Sequence, residues 1–249
     1  MKYFLGGIRL VLLVIFSSLT HLCYSTYILF SKHTNQKGYK LRKFYLSVIL
    51  PLMGIRVQKK GLVNTKPALY VCNHRGLLDF TITLNYVEAF ILSKAEVRKY
   101  PILGKGSGYT GVFWVDRGDK NSRGSARQAI IEILKSGENV FIFPEGTTHY
   151  ERTSMDFKIG SFEEVVKEGF AVVPVALEYK TGRDYWKNMN MVQMYFSQFG
   201  KLFTRCKLHY GPALHGYNNA EKLCSDARKW IDDELISMQK DWSEVWTES

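Results

Sequence analysis

Not one aspartate or glutamate occurs before Asp79. The first 78 residues hold twelve of the 34 basic residues, which leaves 22 basic residues against all 23 acidic ones in the remainder. The excess behind the net charge of +11 therefore sits in the N-terminal third, beside the most apolar stretch of the chain. Basic residues next to an apolar segment attract anionic lipid, at about 1 kcal/mol each near a surface. Nothing supports a nucleic-acid role: zinc-finger spacing, an RNA-binding aromatic signature and a helix-turn-helix pattern are all missing.

Cysteine is scarce and unpatterned. Cys23, Cys72, Cys206 and Cys224 form no CxxC pair, and no histidine stands at zinc-like spacing from a cysteine pair, so they read as packing thiols in a reducing compartment. No ligand cluster asks for a metal or other cofactor. There is no GxSxG elbow to suggest a serine nucleophile. An Ala-x-Ala cleavage site is missing, and Leu22 before Cys23 argues against a lipoprotein site. Repeats and low-complexity tracts are absent as well. With 46% hydrophobic residues in 249, the chain can bury one good core.

Residues 4–30 are mostly apolar, but Arg9, Ser17, Ser18, Thr20 and His21 interrupt them. A span needs about 20 predominantly apolar residues, so this segment is marginal as a span and suits a helix lying in the interface. A second apolar stretch, Phe44–Ile55, contains Pro51 and is too short to span alone; the two can pair and dip into one leaflet. If the first segment spans, the basic residues of 32–43 place the downstream domain in the cytoplasm. Residues 1–58 are thus expected to anchor and 59–249 to form a separate domain.

In that domain, short apolar strands alternate with helical patterns. The strand candidates are Leu69–Cys72, Ala89–Leu92, Val112–Val115, Val140–Phe143, Val172–Leu177 and Cys206–Tyr210. Ser122–Ser136 reads as a helix, with Ala126, Ala129, Ile130, Ile133 and Leu134 at helical spacing and Gly137 as its C-cap. Ser161–Lys167 is a shorter helix. Residues 219–245 read as a closing amphipathic helix whose Trp230, Ile231, Leu235 and Met238 either pack on the core, the commoner case, or meet lipid. Residues 180–204, rich in aromatics and methionine, have no clear placement. The alternation predicts an α/β fold with a mostly parallel central sheet flanked by helices, preceded by an N-terminal membrane-associated helical segment. The GxGxxG match at 106–111 precedes a strand instead of coming after one, so it is no dinucleotide site.

Two apolar runs lead straight into polar residues: Ala68–Cys72 into Asn73-His74-Arg75-Gly76-Leu77-Leu78-Asp79, and Val140–Phe143 into Pro144-Glu145-Gly146-Thr147. In open α/β folds, sites form at the carboxyl ends of strands. Residues five apart sit about 140° from each other on a helix, so His74 and Asp79 meet only if His74 lies on the loop after a strand and Asp79 in the first helical turn. Gly76 supplies the backbone freedom such a turn requires. Asp79 would then hold the Nδ1 proton and leave Nε2 as a general base. The spacing alone serves a mere helix cap equally well.

These segments, together with Gly111-Val112-Phe113-Trp114-Val115-Asp116-Arg117 and Val172-Val173-Pro174-Val175-Ala176-Leu177, resemble in order the four blocks of the glycerolipid acyltransferases, in particular the 1-acylglycerol-3-phosphate acyltransferase branch. Lys94 through Pro101 with Gly104, and Phe157-Lys158-Ile159-Gly160, resemble the linkers between the blocks. The resemblance covers roughly residues 60–180. It implies an acyltransferase domain at 59–249 and transfer of an acyl group from acyl-CoA or acyl-ACP to the hydroxyl of 1-acyl-sn-glycerol-3-phosphate, giving phosphatidic acid.

The resemblance also assigns roles. His74 and Asp79 are catalytic. Lys94 and Arg117 bind the acceptor's phosphate. Glu145 binds an acceptor hydroxyl or holds Arg117, and Gly146 and Thr147 shape the turn and offer N–H groups to the phosphate. Asn73 and Pro144 support the site. The expected partners are an anionic lipid surface, a lysolipid acceptor and the acyl thioester, with the catalytic domain at a membrane on the cytoplasmic side. One position departs from the branch: Thr148 stands where arginine is common, with Arg152 as the nearby cation. This leaves another lysolipid acceptor, or a catalytically silent lipid-binding homologue, as alternatives. The remaining histidines read as solvated or core residues.

Overall fold

A computed structural model describes residues 1–61, 65–94, 107–115, 122–186, 189–240 and 242. The elements run α1 (Lys2–Phe30), α2 (Asn35–Leu52), β1 (Ile55–Lys60), β2 (Ala68–Cys72), α3 (Asp79–Leu84), β3 (Ala89–Lys94), β4 (Val112–Val115), α4 (Ser122–Lys135), β5 (Asn139–Ile142), α5 (Gly160–Glu168), β6 (Ala171–Tyr179), α6 (Met191–Phe199), β7 (Thr204–Tyr210) and α7 (Ala220–Lys240). The strands form one seven-stranded sheet in the order β1-β7-β6-β2-β5-β3-β4. Every neighbouring pair is parallel except β6 and β7. This is the α/β fold with a mostly parallel sheet that the alternation predicts.

All five residues of β2 are buried, as befits a strand covered on both faces. Ala68, Tyr70 and Cys72 join Val173, Val175 and Leu177 on one side, where α2 adds Leu46, Ile49, Leu50 and Met53 and α3 adds Ile82 and Leu84. Leu69 and Val71 join Val140, Val172 and Ala176 on the other, covered by Ile130 and Leu134 of α4, Phe162 and Val165 of α5, and a stripe on α7. That stripe is Leu223, Ala227, Ile231, Leu235 and Met238, at helical spacing; Trp230 lies at its edge.

The expected boundary at residue 58 falls inside β1, which pairs with β7 along its whole length. No structural boundary exists there, because α2 supplies core residues and Arg42 is buried, donating to Val87 O and Ala89 O at 2.9 Å. β1 escapes notice in the sequence because only Ile55 of its six residues is buried and four are polar, the usual composition of an edge strand.

The unplaced stretch 180–204 contains α6. Asn190 and Gln193 close a reciprocal capping box at its start. At its end Arg9 of α1 donates to Phe199 O, a carbonyl the helix leaves open, at 2.9 Å, and beyond it to Lys201 O at 2.5 Å and Leu202 O at 2.9 Å. The polar interruption in the apolar segment is therefore its clamp to the domain. The helices meet closely there: a Cβ on Gly6 would sit 2.6 Å from the Phe196 ring, and one on Gly200 2.4 Å from Lys2 Cγ. Gly6, Arg9 and Tyr24 are buried, Leu13 and Phe16 pack on the core, and Ser17 bonds Tyr45 of α2 at 2.7 Å. A stripe of α1 from Gly6 to Tyr24 thus faces the protein. Its other side leaves Phe4, Ile8, Val11, Ile15, Leu19 and Leu22 exposed, next to Phe44, Val48 and Leu52 of α2.

Candidate active site

β2 and β5 are adjacent and parallel, so their carboxyl ends release residues 73–79 and 143–147 side by side. Asn73 ends β2 by substituting its side chain for a backbone rung: its amide donates to Leu177 O at 2.8 Å and accepts from Leu177 N at 2.9 Å. The backbone then turns away from the sheet, placing His74 on the loop and Asp79 at the start of α3, the one arrangement in which residues five apart can meet.

His74 Nδ1 lies 2.7 Å from Asp79 Oδ2. That oxygen also accepts from the backbone N–H of Arg75 at 2.5 Å and of Gly76 at 2.8 Å. The other carboxylate oxygen accepts the Tyr179 hydroxyl at 2.6 Å. Asp79 is fully buried, and the His74 side chain keeps 24% exposure. A carboxylate only accepts, so Nδ1 carries the proton and Nε2 presents a lone pair. Nε2 bonds none of the described residues. The ring is also stacked on Phe143, centroids 4.3 Å apart. Burial, followed by the Asp79 charge, holds the Tyr179 hydroxyl well above its ordinary range, so it remains a donor to Asp79.

Gly76 is needed for a different reason from the expected one. It is not among the glycines at positive φ; instead, a Cβ there would sit 3.1 Å from Asp184 O, so a side chain would need that backbone to give by a few tenths of an ångström. Gly146 does adopt positive φ, at 77°, and its N–H donates to Phe143 O at 3.1 Å to close the turn.

Glu145 is buried, with both carboxylate oxygens engaged. Oε2 accepts from His74 N at 2.8 Å, and Oε1 from His149 Nε2 at 2.9 Å and Met155 N at 3.1 Å. The carboxylate thus straps the turn to the loop that carries His74. His149 is more than a filler of the core, since it holds Glu145. Thr147 is exposed on the same turn, and Pro144 O accepts from Lys158 N at 3.0 Å.

Arg117 lies outside the described residues. The backbone of Lys94 ends β3, paired with Val115, and its side chain lies outside them too. Arg152 does not turn toward Thr148: its Nε bonds Gln239 Oε1 of α7 at 3.3 Å. The exposed Lys158 reaches the turn instead, its ammonium so close that a Cβ on Gly146 would sit 2.1 Å from Nζ.

Beneath the loop, Arg75 and Glu178 form a fully buried pair at 3.4 Å. Arg75 also donates to Glu151 O and, at 3.1 Å, to Arg152 O. Glu178 Oε2 accepts Gln239 at 2.8 Å, while Oε1 accepts the Tyr185 hydroxyl and, at 2.9 Å, Tyr179 N. Tyr179, Glu178 and Gln239 carry no local sequence signal as site residues, because a strand neighbour and α7 bring them there, whereas Lys158 lies in the stretch 157–160 that resembles a linker between the blocks. His149, four residues after Glu145, did have one in its spacing. Among the described residues no group of histidine, cysteine and acidic side chains could hold a metal.

Comparison with known proteins bears on this arrangement. The pattern of the Acyltransferase family matches residues 54–178, which include both loops. The chain is 29% identical over 219 residues, 84% of its length, to the chloroplastic 1-acyl-sn-glycerol-3-phosphate acyltransferase of Arabidopsis thaliana. It is 31% identical over 141 residues, 57% of its length, to the lyso-ornithine lipid O-acyltransferase of Pseudomonas aeruginosa. The chain spans only 57% and 54% of those two relatives. In fold it is similar to the crystal structure of the 1-acyl-sn-glycerophosphate acyltransferase of Thermotoga maritima, with a TM-score of 0.67 at 20% identity over 98% of this chain and 100% of that one.

Proposed function

The chain belongs to the acyltransferase family, and from that premise we propose that it moves a fatty acyl group from acyl-CoA or acyl carrier protein to the free hydroxyl of 1-acyl-sn-glycerol-3-phosphate, giving phosphatidic acid. The observation that carries this reading is the His74–Asp79 contact of 2.7 Å, with Nε2 bonding none of the described residues.

An alkyl hydroxyl is a poor nucleophile at neutral pH, and a positioned base contributes typically ~10²–10⁴-fold. His74 Nε2 takes the hydroxyl proton as the oxygen attacks the thioester carbonyl. The carbon–sulfur bond breaks, the thiolate leaves, and His74 returns the proton to it. A thiol of pKa about 8.5 leaves readily, so no acyl-enzyme is required. Asp79, held by Tyr179 and two backbone N–H groups, stabilises the imidazolium during the transfer. Lys94 and Arg117 are assigned to the acceptor's phosphate, and Lys158 adds a third cation at the Gly146 turn. Glu145 acts by holding the loop, with Asn73 and Pro144 shaping it.

The exposed faces of α1 and α2 are read as lying in one leaflet, because Gly6, Arg9, Leu13, Phe16 and Tyr24 hold the opposite side of α1 against the domain. The basic residues of 32–43 favour the anionic cytoplasmic leaflet.

A second reading keeps the chemistry and changes the acceptor. Thr148 and the relative named for a lyso-ornithine lipid favour it. One experiment tests both: the purified chain in mixed micelles receives acyl-CoA or acyl carrier protein with a panel of lysolipids, and products are identified by mass spectrometry. A diacyl product absent in His74→Ala supports transfer and names the acceptor. Free fatty acid alone would indicate hydrolysis, and no product with either donor would point to a silent lipid-binding protein.

A further inference from the structure

His74 is held at its edge by Asp79 and on its face by Phe143. The Phe143 and His74 rings are stacked, 4.3 Å apart and 19° from parallel. The edge contact alone does not fix the imidazole. The last torsion of a histidine lies in a broad well, so a ring bonded through one nitrogen keeps freedom to tilt. A flat ring against its face removes that freedom and sets the direction of Nε2.

Phe143 is itself braced. Its carbonyl accepts from Gly146 N at 3.1 Å, which fixes the backbone just past β5. Its ring meets Phe141, two residues earlier and in the same core layer, at 5.5 Å and 62°. Phe141 is fully buried and stacks on Tyr70 of β2 at 6.4 Å. Tyr70 in turn meets Tyr210 of β7 edge-on at 6.3 Å. The Tyr210 hydroxyl donates to Thr83 O of α3 at 3.0 Å, and the Thr83 hydroxyl donates to Asp79 O at 2.8 Å. The aromatic column that starts on the face of His74 therefore ends on the helix that holds its edge.

The face of a phenyl ring carries partial negative charge. It packs against a neutral imidazole and attracts a cationic one more strongly. From this geometry we propose that Phe143 is a positioning residue of acyl transfer, which holds the His74 ring by its face and stabilises the imidazolium formed during the reaction. The charge appears as the acceptor hydroxyl gives its proton to Nε2, and it vanishes as that proton passes to the departing thiolate. The attraction therefore favours the transition state over the resting enzyme. A leucine in this place would supply apolar volume but neither a flat face nor its charge. The inference rests on the proposed role of His74 as base, and not on which acceptor is acylated.

The test replaces Phe143 alone, in the full chain, by mono-, di- and trifluorophenylalanine, which keep the ring's shape and drain charge from its face. Steady-state acyl transfer in mixed micelles is compared with Phe143→Leu, Phe143→Tyr and His74→Ala. The expected result is a stepwise fall in kcat along the fluorine series, to about fivefold at three fluorines, with the acceptor KM within about twofold. Phe143→Leu should lose about tenfold or more in kcat, and Phe143→Tyr, which keeps the face, should stay within about threefold. A flat fluorine series would overturn the inference and leave Phe143 as packing. A rise confined to the acceptor KM would overturn it by placing the ring against the substrate, and a fall in Tm that tracks kcat along the series would overturn it in favour of core stability. His74→Ala separates the two levels: lost transfer there with a flat series sinks this inference alone, and retained transfer sinks the proposed base together with it.

Discussion

The Tyr179 hydroxyl donates, at 2.6 Å, to the Asp79 oxygen that His74 does not use. The proposed base is therefore positioned from a strand a hundred residues away, through a carboxylate with donors on both oxygens. Tyr179→Phe removes one donor and leaves the ring. A net hydrogen bond to a charged group is worth about 1.5–3 kcal/mol, so kcat should fall about tenfold or more with the acceptor KM little changed. Asp79→Asn breaks the imidazole pairing itself and should cost ~10²–10⁴-fold. Steady-state kinetics of both variants would check the order; equal effects would place Tyr179 in a more direct role.

Glu145→Gln separates holding the loop from binding the acceptor. An amide cannot accept from three donors as the carboxylate does, so the turn loosens from His74 N. The expected outcome is a lower kcat with the acceptor KM within about twofold, together with a lower Tm. A rise confined to the acceptor KM would return Glu145 to substrate contact.

Lys158→Gln should raise the KM of a phosphate-bearing acceptor about tenfold, the scale of one charge-assisted contact. Lys158→Arg should keep most of the affinity, and a lysolipid without phosphate should not distinguish the variants. Matched kinetics with both acceptors would show a shift confined to the phosphate, or its absence.

Arg75→Leu strands the Glu178 carboxylate in the core. Removing one partner of a buried pair costs about 3–5 kcal/mol, which for a domain of this size lowers Tm by about 10 °C. Thermal unfolding in detergent measures it. A change of only a degree or two would mean that Tyr185, Tyr179 and Gln239 satisfy Glu178 without the arginine.

Deletion of residues 1–58 should abolish cooperative unfolding, because it removes Leu46, Ile49, Leu50 and Met53 from the core and β1 from the sheet. Deletion of residues 1–31 should leave a folded domain with weakened vesicle binding. A cooperative transition in the longer truncation would restore a boundary near residue 58.

Much of the site was legible because it is local. Asn73 through Asp79 and Phe143 through Thr147 each come directly after a buried strand, and the offset of five admits one loop-and-helix geometry in which His74 and Asp79 touch. The α/β alternation was legible for the same reason, since buried strands and amphipathic helices write their periods into neighbouring residues. β1 was not, because an edge strand has few buried positions. The separation of anchor from domain was misleading, because an apolar segment reads alike whether lipid or a sheet covers it.

By itself, then, the sequence determined the strand ends, the dyad and the one-sided charge, each set by residues close together in the chain. Only the tertiary structure decided that Arg9 clamps the end of α6, that Tyr179 holds Asp79, that Glu145 is occupied by its own chain and that Lys158, and not Arg152, reaches the turn. Apart from the Glu145–His149 pair, those contacts join residues 10 to 193 positions apart, and no local pattern records such partners.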